Sequence, residues 1–140
     1  MIGILLVSHG RMAEGMKESC EMITGVQDNL YVIPLTNDGV EFFSKRLEDC
    51  LNEMVEKYEH VVVLADLINA TPYLQAYKQM ANFPNLKLIS GMNLPVLLTL
   101  VLSTEVYEDF DTFIADIVAQ QTNLVSLFIP EVEEEFEEEL

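Results

Sequence analysis

The chain has little of what would tie it to a nucleic acid, a membrane or a metal. Seven Lys and Arg residues stand against 24 Asp and Glu, a formal net charge of −17 over 140 residues. Affinity for nucleic acid rests largely on cations that neutralise phosphates, so this balance argues against a nucleic-acid partner and against an anionic membrane surface. No apolar run reaches the ~18 residues of a membrane span. The nearest, 94–102, is short and interrupted by Pro95 and Thr99. No basic stretch precedes the first apolar run, as a signal peptide requires, so the expected location is cytoplasmic, without membrane insertion. Cysteine occurs only as Cys20 and Cys50. Both fall on apolar stripes of predicted helices and read as small core residues. No second Cys or His stands at ligand spacing from either, which disfavours a structural zinc.

The acidity is uneven. The last ten residues hold seven glutamates and no basic residue, and the first 130 keep 17 acidic and seven basic residues, a net of −10. Residues 131–140 read as a solvated or disordered acidic tail, and 1–130 as one domain. A partner with a basic face fits such a body.

Strand-like and helix-like segments alternate from end to end. The apolar run 2–7 has the length and composition of a buried strand. After it, Met12, Met16, Cys20 and Ile23 recur at helical spacing. A second short strand, 29–33, ends at Pro34. Val40, Phe43, Leu47, Cys50, Met54 and Tyr58 then mark one face of a helix. The third strand, 61–65, is continuously apolar and expected to be buried on both faces. Thr71 and Pro72 open the next helix, with Thr as N-cap and Pro at the first helical position. A fourth strand covers 86–89 and a helix follows Gly91. A further helix from Asp111 carries Phe113, Ile114, Ile117 and Val118 inward, and 125–129 has the composition of a last short strand. The pattern predicts a doubly wound α/β fold: a mostly parallel sheet of four strands, with that short addition, and helices on both faces.

His9 ends the first strand, in a glycine turn that enters a helix. Open α/β sheets bind ligands there, beyond the carboxyl ends of their strands. The plain alternative is a turn histidine that only caps the loop. Asp66 ends the third strand as His9 ends the first. The first and third strands of such sheets are often neighbours, which would bring the two side chains into reach. A carboxylate that accepts from one ring nitrogen fixes the tautomer and frees the other nitrogen as a nucleophile. Otherwise Asp66 is a helix-cap or loop aspartate. His60 lies six positions before Asp66, about 20 Å away along a strand, and reads as a surface histidine at the opposite edge. The helix starts at Thr71-Pro72 and at Gly91-Met92-Asn93-Leu94-Pro95 converge on the His9 edge and point to a shallow anion site. Its candidate phosphate contacts are Thr71, Ser8, Gly10 and Asn93. Arg11 either meets the anion or is a surface residue.

These segments resemble the mannose-type EIIA domain of the bacterial sugar phosphotransferase system. The matching residues are Ile4-Leu5-Leu6-Val7-Ser8-His9-Gly10 with Ala13-Glu14-Gly15, then Val63-Leu64-Ala65-Asp66 with Thr71-Pro72, then Ser90-Gly91-Met92-Asn93-Leu94-Pro95. The resemblance covers roughly the first 120 residues in order and spacing. It implies that His9 accepts a phosphoryl group from the phosphocarrier protein HPr and passes it to an EIIB domain for sugar uptake. It also implies Asp66 as the orienting carboxylate, Thr71 in the site, a homodimer joined partly by the C-terminal segment, and no metal or organic cofactor. Family members commonly carry a glycine pair before the Ser/Thr-Pro, where this chain reads Leu67-Ile68-Asn69-Ala70. Less glycine gives the backbone less freedom to approach a phosphate closely. Other readings are a regulatory domain sensed through its phosphorylation, the donor subunit of a dihydroxyacetone kinase, and a tetrapyrrole metal chelatase. The chelatase would need a second histidine at a strand tip, and His60 is at the wrong end.

Overall fold

A computed structural model describes residues 1–103 and 107–131. The elements run β1 (Ile2–His9), α1 (Met12–Thr24), β2 (Leu30–Leu35), α2 (Val40–Lys57), β3 (His60–Ala65), α3 (Thr71–Gln79), β4 (Leu86–Ser90), α4 (Leu94–Leu102) and α5 (Phe110–Ala119). The four strands form one all-parallel sheet in the order β2-β1-β3-β4. This is a doubly wound α/β fold.

Because side chains alternate across a strand, each central strand feeds two cores. Ile4, Leu6, Val62 and Leu64 face Ala13 and Cys20 of α1, Val96, Leu97 and Leu100 of α4, and Phe110, Ile114 and Ile117 of α5. Leu5, Val7, Val61, Val63 and Ala65 face Phe43, Leu47, Leu51 and Met54 of α2 and Ala76 of α3. Winding runs from β1 to β2 in one direction and from β2 across to β3 and β4 in the other. With a single crossover hand, that reversal sends α1 to one face and α2 and α3 to the other. The switch point therefore lies between the tips of β1 and β3, which register Val7 with Ala65.

Several details depart from the sequence expectations. Residues 125–129 form no strand; Val125, Leu127 and Phe128 are exposed and pair with neither edge of the sheet. Strand propensity alone supplies no ladder partner, so the segment stays outside it. Pro34 lies inside β2 instead of ending it, because an edge strand tolerates a missing N–H that faces outward. The buried stripe of α1 is Ala13 and Cys20 with Met16 packed beside them, while Met12 and Ile23 face solvent. Small Ala13 carries little apolar signal in a periodicity but is completely buried. Val40 is exposed and Leu51 takes a buried place on α2. On α5, Phe110 replaces the exposed Val118 on the inner face. Apart from Glu131, the acidic tail lies outside the described residues. No helix among the described residues is long and apolar enough to cross a membrane.

Candidate functional site

Three loops meet at the carboxyl ends of β1, β3 and β4, and backbone bonds lock them together. Asp66 N–H donates to Val7 O (3.2 Å), Met92 N–H to Ala65 O (3.0 Å) and Gly10 N–H to Leu35 O (2.7 Å). His9 and Asp66 are thereby fixed across the switch point although 57 residues separate them.

The Asp66 carboxylate holds the histidine at two points. Its Oδ2 accepts from the His9 backbone N–H (2.9 Å) and lies 2.8 Å from ring Nδ1, while Oδ1 accepts from Leu67 N–H (2.9 Å). Burial is the largest single influence on this carboxyl and pushes its pKa up. The bonds from His9 N–H, the His9 ring and Leu67 N–H together outweigh it, and the group sits below the usual carboxylate range. An ionised carboxylate only accepts, so Nδ1 carries the proton and Nε2 of the neutral ring carries the lone pair. The Asp66 side chain is 7% exposed and that of His9 is 50% exposed. The protein thus presents an oriented imidazole on open surface, backed by a shielded anion.

Ser8 is fully buried, and its hydroxyl is committed to the turn. It accepts from Ala13 N–H (2.8 Å) and donates to Gly10 O (3.2 Å). The structure therefore places Ser8 as the brace beneath His9, capping α1 from outside where Arg11 makes no cap bond. Gly10 takes the left-handed φ of +58° that turns the chain from β1 into α1, a conformation costing other residues roughly 1–2 kcal/mol. Arg11 is 90% exposed and pairs through Nε with Glu14 (3.1 Å). Asn93 caps α4: its Oδ1 accepts from Val96 N–H (2.8 Å) and its Nδ2 donates to Gly91 O (3.0 Å). The amide of Asn93 is thus occupied within its own turn.

At α3 the N-cap is Ala70, one residue before the predicted Thr71, and it provides no side-chain cap. The first intrahelical bond is Leu74 N–H to Ala70 O (2.8 Å), so the N–H groups of Thr71 and Tyr73 precede it. The Thr71 hydroxyl has no hydrogen bond among the described residues. Of the helices leaving this edge, α1 and α4 have a first-turn donor capped by a side chain, from Ser8 and Asn93, whereas α2 and α3 begin with no side-chain cap. Asn69 precedes it at φ +66°, a left-handed position that asparagine tolerates better than most residues.

The family model described as "EIIA-man: PTS system fructose IIA component" matches residues 3–118, most of the chain. The chain belongs to the EIIA-man family. The fructose-specific EIIA component of Bacillus subtilis (strain 168) is 31% identical over 70% of this chain and 67% of its own length. The sorbose-specific EIIA component of Lacticaseibacillus casei is 28% identical over 68% of each. Among solved structures, the mannose/sorbose-specific IIA subunit from Enterococcus faecalis superposes with a TM-score of 0.79 at 29% identity, covering 94% of this chain and 98% of that one. An EIIA-man protein is a phosphotransfer component of a sugar phosphotransferase system, the general role this chain takes with its family.

His60 occupies the other end of β3, as expected, but it is not a simple surface residue. Its ring stacks on Phe110 (4.0 Å, 12°) and meets Tyr107 edge-on (5.5 Å), and its side chain is 23% exposed. Among the described residues, no group of three or more His, Cys, Asp or Glu gathers as a metal ion would require.

Proposed function

We propose that the protein carries a phosphoryl group on His9 Nε2, taking it from HPr and passing it to an EIIB domain in the uptake of a sugar. The observation that carries this reading is the exposed His9 ring whose Nδ1 faces the shielded, ionised Asp66. In the receiving step the lone pair on His9 Nε2 attacks phosphorus. The P–N bond on the donor's phosphohistidine breaks, and the leaving imidazole keeps that electron pair. The Nδ1 proton stays on the Asp66 side, and the charge gained by the His9 ring is balanced by the carboxylate. The return step reverses these roles. Phosphoryl transfer passes through a loose transition state, so positioning and charge balance dominate and no cofactor is called for. The Thr71 hydroxyl and the first N–H groups of α3 are the proposed contacts for the phosphoryl oxygens. Gly10 offers backbone there, whereas Ser8 and Asn93 act by holding their turns.

In this reading residues 1–130 form the carrier domain, working in the cytoplasm as a homodimer. Exposed Val125, Leu127, Phe128 and Ile129 support the C-terminal segment as the subunit contact, since such a run gains by leaving water. The test is acid-labile phosphorylation by phosphoenolpyruvate, enzyme I and HPr, comparing wild type with His9→Ala. Label on the wild type alone is the expected result. Full labelling of the variant would sink the assignment.

A further inference from the structure

The segment that departs from the family pattern, between Asp66 and Thr71, holds the site through its backbone, but its side chains have no role in the transfer chemistry. Leu67 and Ile68 are 59% and 61% exposed, side by side, directly after the carboxylate that orients His9. Leu67 N–H donates to Asp66 Oδ1, so the pair is anchored to the site by its backbone while its side chains face solvent. Asn69 then turns left-handed into α3. Single exposed leucines are ordinary. Here, however, Met12 at the start of α1 is 47% exposed and Leu74 in the first turn of α3 is 40% exposed. Each of the two loops carrying His9 and Asp66 thus leads into a helix whose first turn shows solvent another apolar side chain. The cavities of about 240 Å³ by Tyr58 and Phe83 and about 350 Å³ by Met1 and Tyr107 lie toward the opposite end of the sheet. His9 meets its reaction partner on open surface.

On the reading that His9 exchanges phosphate, we infer that Leu67 and Ile68 form an apolar lip that docks the phosphoryl-donor protein and keeps water from the transferring group. The occupant is a protein face with an apolar centre and a basic surround. The apolar centre matches Leu67 and Ile68. The basic surround matches a chain of net charge −17 whose nearest cation to His9 in sequence, Arg11, is already paired with Glu14. Desolvation strengthens the pairing of Asp66 with the charged ring and denies water access to phosphorus. The lip therefore acts only when the donor is a protein large enough to cover it.

The test compares two donors on wild type and on the double variant Leu67→Ser, Ile68→Ser, whose exposed positions leave the core untouched. One donor is phosphorylated HPr. The other is phosphoramidate, a small molecule that passes its phosphoryl group to a histidine and leaves as ammonia. The expected result is a loss of about tenfold or more in kcat/KM with HPr and no change with phosphoramidate. Equal losses with both would show that the pair positions Asp66 and docks nothing. No loss with either would overturn the lip outright. Failure of the wild type to take label from either donor would instead overturn the His9 reading on which the lip rests.

Discussion

His9 and His60 stand at opposite ends of adjacent parallel strands, and each has a carboxylate nearby, yet their surroundings differ in every respect that governs chemistry. At the β1 tip the ring is half exposed, and its Nδ1 lies 2.8 Å from a carboxylate that is 7% exposed and held by two backbone N–H groups. At the start of β3 the ring is stacked against Phe110 and Tyr107. Its Nε2 lies 3.9 Å from Glu59, whose own side chain is 80% exposed. The second arrangement pins α5 to the amino-terminal end of the sheet, helped by the ion pair of Lys87 with Asp111. A histidine becomes usable when one nitrogen has a fixed acceptor and the other has access. Proximity to a carboxylate alone does not achieve that.

The largest effect expected from breaking this contrast is at His9. His9→Ala should abolish phosphoryl acceptance with the melting temperature nearly unchanged, while His60→Ala should label fully. Next is Asp66→Asn, which keeps the shape but loses the ionised acceptor. Transfer rates should fall on the order of 10- to 100-fold, and unchanged rates would make Asp66 purely structural. Ser8→Ala leaves the buried Ala13 N–H without its acceptor and should cost about 1–3 kcal/mol in denaturant unfolding. Transfer should slow as well, as the His9 turn loosens. His60→Ala should lower stability by about 1–2 kcal/mol through lost ring stacking, with unaltered phosphorylation.

The smallest and most diagnostic effect is in pH. The folded Asp66 carboxyl sits below its ordinary value of about 3.9. Its contribution to stability is therefore complete above that value and disappears as pH falls through the lower folded one. The advantage of wild type over Asp66→Asn in melting temperature should be constant near neutrality and shrink on acidification below about pH 4. An advantage independent of pH would mean that packing, not charge, holds this corner.

Much of this was legible in the chain. Continuous apolar runs marked the central strands, helical spacing marked the layers around them, and the ends of two runs placed His9 and Asp66 at one edge. The parts that were not legible share a physical origin. Hydrophobic periodicity points the stripe of α1 toward Met12 and Ile23, because a small buried residue such as Ala13 leaves almost no trace in it. Residues 125–129 have the side chains of a strand, but pairing depends on a free edge in reach and not on propensity. Ser8 and Asn93 read from the sequence as phosphate contacts, and only the geometry shows their hydroxyl and amide bonded within their own turns. A hydroxyl or an amide in a turn serves a ligand or the backbone equally well until its geometry is known.

The sequence by itself determined the order of the elements, the acidic character that restricts partners, and which strand tips bear an imidazole and a carboxylate. Those properties are local, written in composition and in periods of two and 3.6. The tertiary structure decided that β1 and β3 lie side by side in register, so that residues 57 apart meet at 2.8 Å. It also decided that one histidine is half exposed at a strand tip while the other is stacked among rings. These are non-local outcomes, because strand order and register are settled by how the two cores close on both faces of the sheet.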